Sequence, residues 1–199
     1  MRAMARCFST TMFGKVQRGD EATLDELVQG LRGLHVGRAD EARSATPFPK
    51  STDLEAALKP VFLGLGFLHH HLLVHPRTGD RFEYDFWRPA DGIAVEVMGY
   101  RADDEVYKDI LKFHVHEGTR LGVVLVPRWK WISGKKTETN YKATMKALAF
   151  ADSYMDVEAL VAVVYDWEAV EDGWRLVLAG RGTDSLGDHG GRAIQGEGP

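Results

Sequence analysis

Hydrophobic and polar positions alternate over two neighbouring segments, Arg81–Trp87 and Ile93–Gly99. Between them lies Pro89-Ala90-Asp91-Gly92, a strong four-residue turn signal. The pattern predicts an antiparallel β-hairpin in which Arg88 faces Ile93.

This register places acidic side chains on one face of the hairpin. Asp85 lies opposite Glu96, and strand alternation adds Glu83 and Met98 to the same face. The other face holds apolar side chains: Tyr84, Phe86, Val95 and Val97. Like charges opposite each other destabilise a ladder, so we expect a cation between the two carboxylates. The pattern indicates a divalent-metal site suited to phosphodiester chemistry.

Other periodic segments predict an α/β order. Helical spacing occurs over 20–34, 51–63, 101–118 and 142–151, and strand patterns over 67–75, 121–126, 160–165 and 174–179. The first helix has one apolar face, formed by Leu24, Leu27, Val28 and Leu31. Residues 121–126 are almost wholly apolar, which is typical of a central strand covered on both faces. A helix between strands 93–99 and 121–126 favours a parallel pair, so we expect a mixed sheet.

The segments divide into an N-terminal helical segment and loop (1–50), a core (51–179) and a glycine-rich polar tail (180–199) that we expect to be disordered. We expect the first 20 residues to be loosely ordered and 35–50 to form a loop. The 199 residues are 44% hydrophobic and 27% charged, ordinary values for one globular domain with appendages.

Charge and cysteine content narrow the function classes. The net charge of −4 argues against a protein that coats nucleic acid indiscriminately, but it is compatible with a local basic groove. A single cysteine, Cys7, excludes a disulfide framework and a cysteine-based zinc site, and it fits a reducing cytosol. No apolar run approaches the roughly 18 residues that a membrane span needs, and no signal-peptide core is found. We therefore expect a cytoplasmic protein without membrane association.

Four motifs in order resemble the PD-(D/E)xK nuclease superfamily, and within it the Bam/Bgl type of restriction endonucleases that cut sites with a GATC core. They are Tyr84-Asp85-Phe86, Ile93-Ala-Val-Glu-Val97, a helix containing Asp109 and Phe113, and Gly122-Val-Val-Leu-Val-Pro127. Ile132-Ser133-Gly134 is also similar to a Ser-Gly motif of these enzymes. The resemblance covers roughly residues 50–145 and implies a restriction-endonuclease-like mixed β-sheet flanked by helices.

The resemblance implies a type II-like, site-specific endonuclease that hydrolyses double-stranded DNA as a homodimer. Asp85, Glu96 and the backbone carbonyl of Val97 would hold one or two Mg²⁺ ions. Relatives often complete the site with a carboxylate from the preceding helix, for which Glu55 is the candidate, with Asp53 behind it.

Met98 departs from the family pattern, which usually has lysine there and in the Bam/Bgl group tolerates glutamate or glutamine. A thioether can neither orient water strongly nor stabilise negative charge. Met98 is then either a spectator, with Glu83 as a further carboxylate, or is replaced in its role by Lys108 or Lys112 from the following helix. The remaining alternative is a weak or inactive DNA-binding module on a nuclease scaffold.

A basic run at 128–146 contains six basic residues and one acidic residue, Glu138, interleaved with Trp129, Trp131 and Tyr141. Such runs are usually solvated surface, but the aromatic residues and the Ser-Gly motif favour DNA contact. The residues that we expect to bind DNA are Arg128, Lys130, Ser133, Lys135, Lys136, Thr137, Asn140 and Lys142.

Histidines offer a different hypothesis. Strand alternation lets His69, His71 and His75 line up, which would suit a zinc hydrolase of small molecules, although a partly exposed strand or dimer face is the favoured interpretation. His114 and His116 lie two positions apart on a helix, and we expect both at the surface.

Overall fold

The computed structural model describes residues 10–14, 18–37, 49–75, 77–98, 103–132, 135–151, 154–155 and 157–178. Cys7 and the tail beyond residue 179 lie outside this part of the chain, so the predictions made for them stay predictions.

Four helices and ten strands make up the described structure. The helices are α1 (Arg18–Leu31), α2 (Ser51–Gly64), α3 (Asp103–Val115) and α4 (Thr139–Ala151). The strands are β1 (Thr10–Gly14), β2 (His35–Gly37), β3 (Leu68–Val74), β4 (Arg81–Arg88), β5 (Ile93–Val97), β6 (Leu121–Pro127), β7 (Lys130–Ile132), β8 (Lys135–Thr137), β9 (Ala159–Val170) and β10 (Gly173–Leu178).

The main sheet is mixed, in the order β2-β10-β9-β6-β5-β4-β3. β5, β6 and β9 run parallel to one another, and the other neighbours pair antiparallel. β1 and β10 pair with successive stretches of the long strand β9. The predicted fold class, a mixed sheet flanked by helices, is confirmed.

Each face of the sheet carries its own apolar core. On one face α1 and α2 pack, and the apolar face predicted for α1 is buried there: Leu24, Leu27, Val28 and Leu31. On the other face α3 and α4 pack through Val106, Ile110, Phe113 and Leu148. β6 is buried at every position because it is covered from both sides, as its apolar run predicts.

The β4–β5 hairpin has the predicted register, with Arg88 paired to Ile93 and Phe86 to Val95. The ladder stops there, however, and Asp85 and Glu96 do not pair. On the other side of β4, the β3–β4 ladder omits His70 and Asp85 although its register continues. His70 adopts a left-handed backbone (φ 54°), which is uncommon for a residue other than glycine.

This irregularity changes which side chains share a face of β4. Phe86 packs in the core under α1 and α2, whereas Tyr84 and Trp87 pack in the core under α3 and α4. The prediction that Tyr84 and Phe86 share a face is therefore wrong. Period-two alternation holds only while the strand is regular, and β4 is irregular at Asp85.

Four short strands differ from the sequence prediction. β1 lies in the first 20 residues, which we expected to be loosely ordered, and β2 lies in the expected loop over 35–50. β7 and β8 form a separate two-stranded hairpin inside the basic run. Strands of three to five residues have little pattern of their own, and the main sheet stabilises β1 and β2 by pairing.

Among the described helices, none combines the length and the hydropathy needed to cross a bilayer.

Gly122→Ala should destabilise the fold by about 1–3 kcal/mol, because overpacking a core forces its neighbours to move. A Cβ at Gly122 would lie 2.6 Å from Cδ2 of Phe113 and 2.9 Å from Cδ2 of Leu160. Gly64→Ala is the matched control, since nothing lies within 4 Å of its added methyl group. Urea unfolding measures both variants. Equal stability of the two would contradict the packing described for β6 and α3.

Candidate active site

Asp85 and Glu96 lie at the carboxyl end of β5, where the β4–β5 ladder has ended. Because the ladder ends at Phe86 and Val95, the backbone N–H of Val97 donates instead to Oδ2 of Asp85, at 2.6 Å. This hydrogen bond holds the Asp85 carboxylate against the end of β5. The negative charge of Asp85 in turn acts on Glu96, so the structure brings the two predicted carboxylates together.

Glu96 is a buried acid inside an otherwise apolar strand, with only 3% of its side chain exposed. Its Oε2 accepts a hydrogen bond from Nζ of Lys112 at 2.9 Å. Its Oε1 is buried without a hydrogen-bond partner in the described part of the chain. A buried carboxylate oxygen without a partner is costly, unless a cation or a water molecule binds it.

Lys112 reaches the site from α3. Its Nζ lies 2.9 Å from Glu96 and 2.9 Å from Oδ1 of Asp109, one helical turn earlier, and 15% of its side chain is exposed. Lys108, the other lysine considered, is exposed. Asp109 enters the sequence prediction only as part of a motif. Its three-residue spacing from Lys112 nevertheless indicates that the two side chains share a helix face.

Burial raises the pKa of Glu96 well above its ordinary value, and the charge of Asp85 raises it further. Burial also raises the pKa of Asp85, although the hydrogen bond from Val97 opposes this. For Lys112, burial lowers the pKa, but the charges of Glu96 and Asp109 outweigh burial and the net shift is upward. One partly buried ammonium therefore faces the carboxylates of Glu96, Asp109 and Asp85, and the cluster favours additional positive charge.

The donor set fits a hard divalent cation. Carboxylate and carbonyl oxygens are the ligands that Mg²⁺ prefers, and the partnerless Oε1 of Glu96 offers one of them beside Asp85 and the Val97 backbone. Asp85, unlike Glu96, is only partly buried, so the cluster reaches the protein surface through its side chain.

Glu55 contacts two histidines in addition to lying near Asp85. Its Oε1 lies 2.8 Å from Nε2 of His69 and 2.6 Å from Nε2 of His70. Its charge also raises the pKa of Asp85, so it lies close to the carboxylate pair. Asp53, predicted to stand behind it, instead accepts a hydrogen bond from the Lys50 N–H at 2.9 Å and caps α2.

Two other predicted side chains lie elsewhere. Glu83 contacts Nδ1 of His70, and alternation from Tyr84 puts it on the opposite face from Glu96, so the prediction that Glu83 and Glu96 share a face is wrong. Met98 is buried in the apolar core under α3 and α4. A thioether packed in a core acts there as an apolar side chain.

The histidines also depart from prediction. The ring of His69 packs 5.1 Å from Phe86, whereas that of His71 packs 6.0 Å from Trp87, in the opposite core. His69 and His71 therefore do not line up, because the backbone irregularity at His70 separates them. His116 is partly buried against Trp87, with ring centroids 4.8 Å apart, so its predicted surface position is wrong, while His114 is exposed as predicted.

The basic run folds into the β7–β8 hairpin and the start of α4. Lys135, Lys136 and Lys142 are exposed, whereas Lys130 is 8% exposed, and this burial argues against its predicted DNA contact. Arg128 pairs with Glu138 at 3.2 Å, and Lys142 pairs with the same acid at 3.2 Å. Thr137 is partly buried. Ser133 and the side chain of Asn140 lie outside the described residues.

Comparison with known proteins bears on this arrangement. The model of a family described as "Putative halobacteria restriction endonuclease" matches residues 26–165. No curated protein matches the chain. The fold is similar to the crystal structure of restriction endonuclease BglII complexed with a DNA 16-mer, with a TM-score of 0.53 and 16% identity over 80% of this chain and 77% of that chain. A crystal structure of free BglII matches with a TM-score of 0.46 and 14% identity over 84% of this chain and 89% of that chain. The resemblance to restriction endonucleases predicted from the motifs is confirmed.

Glu96→Gln should raise the free energy of unfolding at pH 8 in the presence of a chelator, by on the order of 1 kcal/mol. The folded-state pKa of Glu96 lies above its ordinary value of 4.5, so the ionised carboxylate disfavours the folded state. This cost is absent below pH 4.5 and grows as the pH rises through the folded-state pKa, so the advantage of the glutamine should shrink on acidification.

The control for this variant is Glu168→Gln, which removes an exposed carboxylate paired with Arg175 and should change stability by less than about 0.5 kcal/mol. Denaturant titrations at several pH values measure both. A loss of stability in Glu96→Gln at pH 8 would contradict the charge balance described for the site.

Proposed function

The chain belongs to the restriction endonuclease family whose model it matches, and on this premise we propose that it is a Mg²⁺-dependent, site-specific endonuclease of double-stranded DNA. Family and fold indicate a DNA nuclease. The metal, the site specificity and the residue roles are the proposal.

The observation that carries the proposal is the buried Glu96 beside the partly buried Asp85, with Oε1 of Glu96 left without a partner in the described structure. An inert scaffold gains nothing from a buried glutamate whose pKa is raised by burial and raised further by the charge of Asp85. A site that binds a divalent cation needs both, since their negative charge provides the affinity.

We assign Asp85, Glu96 and the Val97 carbonyl as the groups that hold the metal. When bound, Mg²⁺ supplies Lewis-acid stabilisation of charge on a phosphate oxygen and lowers the pKa of water. The chain contributes the geometry: the Val97 N–H fixes Asp85, and the walls of β5 and β6 keep Glu96 away from bulk water. A dry, preorganised site strengthens every electrostatic interaction with the developing charge.

Lys112 takes the role that Met98 cannot fill. Its ammonium lies 2.9 Å from Glu96, and 15% of its side chain remains exposed, so it is available to a phosphate or an attacking water at the site. An ammonium can stabilise negative charge and orient water, which a thioether in the core does not do. The location of Lys112 supports the interpretation in which the following helix supplies the missing cation.

DNA contact is proposed for the exposed lysines of the basic run, Lys135, Lys136 and Lys142, together with Arg128, Ser133, Thr137 and Asn140. Lys136 lies with its Nζ 4.8 Å from the ring centroid of Trp129, which keeps the ammonium at the surface of the β7–β8 hairpin. Exposed ammonium groups neutralise phosphates and release counterions.

A second copy of the chain is proposed as the partner. Large apolar side chains stay exposed on α3, at the end of α4 and just beyond α4, among them Tyr107, Leu111, Phe150 and Tyr154. Phe150 and Tyr154 lie together, with ring centroids 4.8 Å apart, and exposed apolar patches are typical of protein interfaces. Two sites related by a two-fold axis would cut both strands of a palindrome.

Asp85→Asn should lower DNA cleavage about a thousandfold or more, because losing a metal ligand removes several kcal/mol of transition-state stabilisation. The measurement is the initial rate on mixed-sequence double-stranded DNA with Mg²⁺ and with a chelator. Discrete, Mg²⁺-dependent fragments are expected for the unmodified chain and for the surface control Glu168→Gln. If the unmodified chain binds this DNA but leaves it intact under all metal conditions, it is a noncatalytic module and the proposal fails.

Lys112→Met and Met98→Leu separate the two interpretations of the missing family lysine. Lys112→Met should slow cleavage about a hundredfold, since it removes the ammonium at Glu96, while Met98→Leu should stay within about threefold because it conserves core volume. Single-turnover rates at saturating enzyme measure the chemical step. The reverse ranking would show that Met98 acts at the site and that Lys112 is only structural.

A further inference from the structure

We propose that Glu55, His69 and His70 form a second cation site, which takes a borderline transition-metal ion of the Zn²⁺ class rather than Mg²⁺. This inference does not depend on the nuclease proposal. It concerns side chains from α2 and β3, whereas the carboxylate pair comes from β4 and β5.

The three side chains converge on one point. Oε1 of Glu55 lies 2.8 Å from Nε2 of His69 and 2.6 Å from Nε2 of His70, and the candidate ligand atoms all lie within 4.8 Å of one another. Two imidazole nitrogens and one carboxylate oxygen form a donor set that zinc sites use, with a fourth position open to water or a ligand. Imidazole donors favour zinc, copper and nickel over magnesium.

Glu83 supplies the outer support that such a site needs. Its Oε1 contacts Nδ1 of His70, the ring nitrogen that does not face Glu55. A carboxylate on one imidazole nitrogen fixes the tautomer and the ring orientation, and so directs the other nitrogen to a metal. In the metal-free chain, hydrogen bonds join Glu55 to the two imidazole rings. A bound metal ion would displace the protons of those hydrogen bonds.

The backbone of β3 explains how two consecutive residues reach one carboxylate. Consecutive side chains of a regular strand point to opposite faces. His70 instead has φ 54° and is omitted from the β3–β4 ladder, and its ring lies edge-on to that of His69 with centroids 3.9 Å apart. A left-handed residue other than glycine in a strand persists only where surrounding contacts hold it, and these contacts are the carboxylates of Glu55 and Glu83.

The cluster is open to a metal ion from solvent. The side chain of His70 is 47% exposed, while those of His69 and Glu55 are 17% and 16% exposed. By the β3–β4 register, His70 stands across from Asp85, so the second site adjoins the carboxylate pair without sharing a residue with it.

The test is a titration of the full chain, stripped of metal, with Co²⁺ in the presence of millimolar Mg²⁺. We expect one equivalent of Co²⁺ to bind with visible ligand-field absorption, and Zn²⁺ to displace it. His70→Asn, which keeps a residue that tolerates the left-handed backbone, and Glu55→Gln should each weaken binding at least tenfold. Glu83→Gln should weaken it about tenfold through the outer contact.

His71→Asn is the matched control, because it changes a histidine of the same strand whose ring packs against Trp87 on the other face, and it should leave Co²⁺ affinity unchanged. Circular dichroism in chelator checks that each variant is folded. If His70→Asn does not fold, the Co²⁺ affinity of the exposed variant Glu83→Gln tests the proposed site instead.

Glu96→Gln separates this site from the proposed magnesium site. Retention of the Co²⁺ spectrum in Glu96→Gln supports the inference, whether or not that variant cleaves DNA. Absence of Co²⁺ binding in excess Mg²⁺ overturns it. Loss of the spectrum in Glu96→Gln together with its retention in His70→Asn and Glu83→Gln also overturns it, because the ion would then lie at the carboxylate pair.

Discussion

Buried negative charge in excess of its counter-charge is the constraint on which the rest of the structure depends. Glu96 sits in a strand that is otherwise apolar, Asp85 and Asp109 add two further carboxylates, and Lys112 is the ammonium that faces them. Desolvation makes such an arrangement costly, so the surrounding structure must be rigid enough to keep it. The parallel strands β5, β6 and β9, covered by helices on both faces, provide this rigidity.

The connection between β5 and β6 explains why the counter-charge is a lysine of α3. A crossover between parallel neighbours must cover the sheet face that it crosses, so α3 packs over β5 and β6 through Val106, Ile110 and Phe113. Its side chains at 109 and 112, one turn apart, then fall on the end of β5. The helix α3 therefore both covers the sheet and neutralises Glu96, so the residue at position 98 does not need to be charged.

Much of this arrangement could be predicted from local patterns. Hairpin register follows from the turn at Pro89–Gly92, and the central position of β6 from its apolar run, because both depend on neighbouring residues. The faces of β4 could not be predicted, since they depend on the backbone at His70, a residue that carries no local signal for a positive φ. Likewise, Lys130 looks like any surface lysine in the sequence, and only the tertiary structure shows that it is buried.

The break opposite His70 is best understood as part of the site rather than as a defect. In a regular ladder Asp85 would pair with His70 on one side and with Glu96 on the other, and its side chain would be committed to one face. Interrupting both ladders at this residue frees its carboxylate to accept the Val97 N–H, which turns it toward the end of β5. The same interruption turns His70 toward Glu55. One irregularity therefore positions groups on both sides of β4, and a strand that obeyed alternation throughout would lose both arrangements.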